Sequence, residues 1–447
     1  MTQSTWNRQP TTNEWNTTTN WTPSVAPTDK ATFTNSSQTT IAFSATGEAR
    51  VSEIEFADSA STYSFIFGPC ATPLLTISGE GVTNNSGSQQ SFIVAATSSG
   101  YKDPQLKFTN SATAGGDDIF YCAGPESEQS YGGGVICFCD NASAGSAVFK
   151  AWTGAGFPPK HNTVGGEISF CDASSADRAS FTIYGSLGAD GDTFGNVVFH
   201  NSATAAQATF TNVGGTVSGG DGGNTQFYGN STAANGNFYN WGGTHTKANG
   251  GDVAFDATAN GGYGHYYNYA AEAAGAYGGV TSFNNNPPDT TPQGASAGNG
   301  FYFNFGARGD ERGGGGHLEF SAKYGSPTAS NATIVNYGSS LVHKSCAGHT
   351  IFSINLPTDY FPTTGSATIY NHPSLTEEGA AGFTEFSVYG SGSDNGKQPT
   401  AGDGTIINLG ASIPKHLVVI PCFPELQQQE MPPWSLMVES MIAMVAG

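Results

Sequence analysis

The sequence predicts an all-β chain wound as a right-handed parallel β-helix, a β-solenoid of about 12 coils with N- and C-terminal caps. Three observations predict it. Ten phenylalanines recur down the chain: Phe108, Phe138, Phe170, Phe199, Phe227, Phe255, Phe283, Phe320, Phe352 and Phe386, spaced by 28 to 37 residues. A period in this range marks a solenoid, in which each repeat leaves an apolar edge for the next to cover. Nine of the ten have Gly four residues earlier, from Gly134 and Gly166 to Gly348 and Gly382, with Pro104 in that place before Phe108. Two residues before each Phe stand Leu106, Ile136, Ile168, Val197, Thr225, Val253, Thr281, Leu318, Thr350 and Thr384. These are β-formers that share the face of the Phe, because alternate residues of a strand point the same way. Finally, Gly is 61 of 447 residues and charged residues are only 11%, as expected where Gly, Ser, Thr and Asn turn the chain at every coil corner. A repeat of about 28 residues cannot hold the four strands of a propeller blade, which needs roughly 40–50.

Taken in order, residues 1–30 carry Trp6, Trp15 and Trp21 among Thr, Asn and Pro. They read as a cap over the first coil, since an open solenoid end leaves strand edges bare, or as an arm swapped onto a neighbouring molecule. Residues 31–107 hold strand-like runs at 31–35, 41–44, 51–56, 63–67, 74–78 and 91–95, read as degenerate coils with a period of 20 to 25. Residues 104–410 form the regular array, each repeat opening with a short strand that starts at the Gly and contains the Phe. Eleven residues after the Phe a second strand brings Ile119, Phe149, Phe181, Phe210, Phe238 or Tyr266. The last four repeats reach the same place at Tyr302, Ile334, Ile369 and Ile406 after additions of 8, 3, 6 and 9 residues, so a loop between the two strands tolerates growth. Two positions further the later repeats carry Asn212, Asn240, Asn268, Asn304, Asn336, Asn371 and Asn408, read as a buried amide ladder with each side chain bonded to the copies above and below. Weaker strands, such as one at 216–218, complete the coil. Residues 411–447 hold four of the five methionines and read as a C-terminal cap or an assembly segment, with an apolar helix over 434–446.

The net charge of −20, with 15 Lys plus Arg, weighs against nucleic acid or an anionic membrane as partner. No stretch is long enough to span a bilayer as a helix, and residues 1–40 are polar and Trp-rich without a signal-peptide core. Seven cysteines fit no short disulfide scaffold. Cys139 and Cys171 fall in one column of consecutive repeats and read as a free-thiol pair, a disulfide being the alternative. No zinc site is read, because Cys137 and Cys139 stand two apart without a His cluster.

The repeats resemble those of autotransporter-type passenger proteins, the β-strand-repeat class of bacterial surface proteins. The unit from Phe199 to Gly215, repeated from Asn230 to Asn240, carries the resemblance. So do the opening stretch Trp15 to Trp21 and the run Leu75 to Gly87. The resemblance covers about residues 15–410 and implies a right-handed β-helix displayed at, or released from, the bacterial surface. That family usually adds a signal peptide and an outer-membrane barrel, and the sequence here shows neither.

Parallel β-helices often carry polysaccharide lyases and hydrolases, whose chemistry needs facing carboxylates. The nearest pair, Asp140 and Asp172, stands where other repeats have Asn110 and Asn201, a pattern of turn capping. Arg308, Asp310, Glu311, Arg312 and Lys323 form the only dense charged group and read as a solvated loop. It contains Arg308-Gly309-Asp310, the tripeptide read by animal integrins and the one weak binding candidate. Asp190, Asp192 and Asn196 offer oxygens at calcium-like spacing but lack the closing Glu of an EF-hand. The expectation is therefore a non-catalytic surface or extracellular solenoid that displays, spaces or adheres, with no cofactor. A fibre subunit joined end to end and a carbohydrate-active enzyme are the alternatives. Self-association through the solenoid ends and a glycan or other cell-surface ligand are the partners this reading admits.

Overall fold

The computed structural model describes residues 1–43, 48–67, 75–94, 106–124, 134–153, 165–186, 194–284, 293–308, 313–390 and 398–410. They form a parallel β-solenoid of two sheets, one of 15 strands and one of 13. The chain alternates between the sheets, so each strand lies beside the strand one winding away. In the first, the Phe sheet, strands such as Asn196–Phe199, Asn224–Phe227 and Asp252–Phe255 pair in register, Phe on Phe. In the second, the Asn sheet, Thr209–Asn212, Asn237–Asn240 and His265–Asn268 do the same, Asn on Asn. Ten windings are regular. Three less regular ones precede them, so the Asn sheet holds 13 strands where about 12 coils are expected from sequence.

The core is a pair of aromatic columns. Phe199, Phe227 and Phe255 stack with ring centroids 4.6 and 4.7 Å apart and planes within 8°, close to the strand spacing that sets them. Tyr121, Phe149, Phe181, Phe210, Phe238, Tyr266 and Tyr302 stack likewise in the Asn sheet, at 4.4 to 4.9 Å. Within a winding the columns meet edge to face, as for Phe199 and Phe210 at 5.9 Å, an arrangement worth about 0.5–1.5 kcal/mol beyond area burial. The buried tyrosine hydroxyls are satisfied: Tyr121, Tyr266 and Tyr302 donate to the carbonyls of Ala114, Gly261 and Ala297. Tyr121, not Ile119, occupies the column, because the strand Ile119–Ala123 pairs Tyr121 with Phe149. Both residues are buried.

The amide ladder is present as expected. Asn212 donates to Asn240, and the chain runs on through Asn268, Asn304, Asn336 and Asn371 to Asn408 at 2.7 to 2.9 Å. The Phe sheet supplies further donors. The hydroxyls of Thr225, Thr281, Thr350 and Thr384 donate to Asn212, Asn268, Asn336 and Asn371. In these windings a buried amide oxygen thereby gains a donor, while the same column holds Val253 and Leu318 in the windings of Asn240 and Asn304.

Between the sheets the corner is a line of single parallel bridges through Thr113, Ser143, Ser175, Thr204, Thr232, Asn260, Ser296, Thr328, Thr363 and Thr400. In each, the side-chain oxygen accepts the N–H two residues on, as Thr204 does from Ala206 at 3.1 Å. The weak strand expected at 216–218, on the return from the Asn sheet to the Phe sheet, does not form; the chain bends and turns there instead. The sequence adds length between the strands Val280–Phe283 and Phe301–Asn304, while the return to the Phe sheet also varies, being longest before Phe170, 21 residues after Phe149.

At the N-terminal end, Ser4–Trp6 pairs in parallel with Lys30–Phe33 and antiparallel with Trp21–Thr22. Trp6, Trp15 and Trp21 are buried and pack mutually at 4.9 and 5.0 Å over Phe33 and Phe43. Residues 1–30 therefore cap their own first winding. Residues 31–107 form windings as expected, but the period of 20 to 25 holds only for the first. Phe33 pairs with Phe56, whereas Ile77 pairs with Phe108, 31 residues on. The long strands Ala49–Phe56 and Leu75–Asn84 shift register between Val51 and Glu53. The C-terminal cap or assembly segment at 411–447 lies outside the described residues, which form a unit ending at Gly410.

Candidate functional site

With the interior filled by aromatic, aliphatic and amide columns, chemistry is left to the outward positions. The acidic pair Asp140 and Asp172 is not inward. The strands end at Phe138 and Phe170, and both aspartates turn the chain in the left-handed region at φ 58° and 57°, as do Asn110 and Asn201. Their side chains cap one another's backbone: Asp140 accepts the N–H of Asn110, Asp172 that of Asp140, and Asn201 that of Asp172, at 2.9 to 3.2 Å. This is the turn ladder the Asn-Asp-Asp-Asn pattern predicts. Arg308 is exposed, four residues past the end of the strand Phe301–Asn304, while Gly309 and Asp310 lie outside the described residues. Asp190 and Asp192 lie outside them too, and Asn196 opens the strand Asn196–Phe199.

Of the outer face of the Phe sheet, sequence reasoning found the column of Cys139 and Cys171 and missed the rest. Three outward columns run there. The first passes through Glu167, Asn196, Asn224 and Asp252, the second through Lys107, Cys137 and Ser169. The third, one residue after each Phe, contains Cys139, Cys171, His200, Tyr228 and Asp256. Asp252 is a carboxyl group in these columns whose chemistry is altered. Burial first, then the neighbouring Glu319 and Asp256 carboxylates, push its carboxyl up to about 7. Its Oδ1, and those of Asn224 and Asn196 on the two preceding strands, are buried without a hydrogen-bond partner. Burial also raises Glu319 and lowers His200, because a poorly solvated place disfavours the charged form of each.

The same face gathers three thiols. Cys137 and Cys139 both point outward from Val135–Phe138 and its continuation, two residues apart, with Sγ atoms 3.3 Å apart. Cys171 follows Glu167–Phe170 on the adjacent strand, and its Sγ completes a group in which all three sulfurs lie within 4.8 Å of one another. All three are free thiols; Cys137 is buried and the other two are half-buried. Hydrogen bonds from Cys139, then Cys171, hold the Cys137 thiol down at about 3, while sharing that hydrogen bond raises Cys139 and Cys171. Lys107, register partner of Cys137 on the preceding strand, adds a positive charge. His200 is next in the column but stacks on Tyr228 at 5.4 Å. The sequence signal was there in two halves, a Cys-X-Cys strand and a one-column pair. Only the register joins them.

The outer face of the Asn sheet is aromatic. Trp241, Tyr269, Phe305, Tyr337 and His372 form one column with centroids 4.4 to 5.1 Å apart, and Tyr239, Tyr267 and Phe303 a second beside it. The rings lie face to face along the solenoid axis. Their faces are used on each other, and their edges meet solvent.

No family model matches this chain, and neither does any curated protein or solved structure. Among the described residues no helix is long and apolar enough to cross a membrane.

Proposed function

We propose that this chain is a non-catalytic structural solenoid that works at a bacterial surface or outside the cell, as a stiff spacer presenting what it carries. The observation that supports this is that stacking continues outside the coil as well as inside it. Two inner aromatic columns, an amide ladder and two outer aromatic columns all run along one axis. At the ~4.8 Å strand spacing, the 13 strands of the Asn sheet make a body about 60 Å long. Each ladder must break if that body bends, and this is the property a spacer needs. The outward rings add edge area for contact, which suits adhesion to a cell-surface ligand. The resemblance to passenger-type repeats points to the same place of work.

One observation favours a second reading, a carbohydrate-active enzyme. Asp252 keeps its proton near neutral pH beside Asp256 and Glu319, as a general acid does beside an ionised partner. Two measurements on the full chain separate the readings. Antibody labelling of intact producing cells should find the protein at the surface or in the medium, and a polysaccharide panel should release no oligosaccharide. Label confined to the cell interior would remove the surface assignment. Depolymerisation abolished by Asp252→Asn would replace the spacer with the enzyme.

A further inference from the structure

We propose that Cys137, Cys139 and Cys171 form a binding site for a thiophilic metal ion of the zinc class, built across two neighbouring strands on the outer face of the Phe sheet. The geometry points to it. Zinc–thiolate bonds are ~2.3 Å, so sulfurs sharing one ion stand roughly 3.8–4.0 Å apart in tetrahedral or trigonal arrangement. The three sulfurs here lie within 4.8 Å of one another, with the closest pair at 3.3 Å. Side-chain rotation alone brings them to those distances. The backbone need not move, and it could hardly do so. Val135–Phe138 and Glu167–Phe170 are locked in register through Ile136–Ile168 and Phe138–Phe170, with the rings of those phenylalanines stacked 4.8 Å apart.

Ligand type also selects the ion. Thiolate sulfur suits zinc, copper(I) and other soft cations and is a poor match for calcium or magnesium. On binding, each thiol releases its proton to solvent and its sulfur donates a lone pair to the metal, with no oxidant or reductant involved. Two of the three cysteines are half-buried, which leaves a way in from solvent. The site is an open one, with three protein ligands and a fourth position for water, because His200 is engaged by Tyr228 instead. It stands independently of the spacer and enzyme readings.

The test uses the full, reduced chain titrated with zinc chloride against a competing chelator, with native mass spectrometry for stoichiometry. One zinc per chain is expected. Cys171→Ser should weaken it by at least about 100-fold, more than the 10–100-fold lost when only a partner of a ligand is removed. The triple Ser variant of Cys137, Cys139 and Cys171 should abolish it, with Cys122 and Cys346 left intact and the far-ultraviolet β signal unchanged. As a second readout, cadmium should give a sulfur-to-metal charge-transfer band in the wild type and none in the triple variant. Equal zinc affinity in wild type and triple variant would overturn the proposal. So would a disulfide among these three residues, mapped in the protein as isolated from its producing cells.

Discussion

At the residue scale, the glycine four residues before nine of the ten Phe is under a tight steric constraint. A Cβ at Gly251 would lie 2.1 Å from the carbonyl oxygen of Asn212, and Gly134, Gly166, Gly195, Gly223, Gly279, Gly316, Gly348 and Gly382 would meet a carbonyl at 1.9 to 2.2 Å. The chain returns to the Phe sheet at this point, and the Gly251 N–H closes the loop on the carbonyl of Trp241 at 2.7 Å. Only a residue without a side chain fits. Gly251→Ala should therefore lower stability by about 1–3 kcal/mol, the usual cost of overpacking, whereas Gly410→Ala, with nothing within 4 Å, should leave the denaturant midpoint unchanged. Equal midpoints for the two variants would contradict this account. Asp252 gives a second residue-scale prediction. Its carboxyl is raised from 3.8 to about 7 in the fold, so between those values the native state binds more protons than the unfolded chain. Stability then falls as pH rises from about 4 to 7, by up to ~1.4 kcal/mol per pH unit. The penalty is absent below pH 4 and fully present above 7. Asp252→Asn should flatten this part of the stability–pH profile and raise stability at pH 8. A profile identical to wild type would refute the assignment.

At the element scale, strands of three or four residues are too short to persist alone, and most are held by in-register neighbours on both sides. The first winding has a natural neighbour on one side only, and residues 1–30 supply the other. Ser4–Trp6 extends the Phe sheet, and the backbone of Asn13 and Trp15 bonds to Ala42 of the Asn sheet at 2.8 and 2.9 Å. Both first strands are thus paired and three tryptophans close the core. Removing residues 1–28 should expose two unpaired edges together with Phe33 and Phe43, the condition for edge-to-edge association. Light scattering should show concentration-dependent aggregation of the truncated chain under conditions where the full chain stays unassociated. A truncated chain that scatters like the full one would show that the Trp segment is no cap.

At the scale of the whole solenoid, repetition turns small local preferences into a body with long columns, and it also turns chance outward residues into neighbours. A residue and its counterpart 28 to 37 positions later are distant in sequence yet one strand spacing apart in space. The amide ladder shows the benefit, since each Asn bonds to the next, and backbone carbonyls and threonine hydroxyls of the Phe sheet take up remaining valences within it. The thiol group shows the consequence for chemistry: three cysteines on two strands become a single cluster. The orphan oxygens of Asn196, Asn224 and Asp252 have the same origin, one column position repeated through three strands.

How much of this was legible in the sequence follows from what repeats. The Phe, Gly and Asn columns declared the parallel windings, the two strands per coil and the buried ladder, because a core position occupied once per winding recurs at the winding's period. The same logic failed at Ile119, where extra residues displaced the column to Tyr121. It failed for the strand expected at 216–218, where the return to the Phe sheet runs as turns, while the bridge corner on the opposite side of the coil, a single residue per winding, went unread. The outer face was legible only at the column shared by Cys139 and Cys171. An outward residue is free to differ from its counterparts, so it leaves no period to read, and its neighbours are known only once the register is. Periodic burial, then, was written in the amino acids. The meeting of Cys137 with Cys171, the partners of Thr225 and Thr281, and the raised carboxyl of Asp252 were decided by tertiary structure, because hydrogen-bonded strand register alone sets which non-repeating side chains stand side by side.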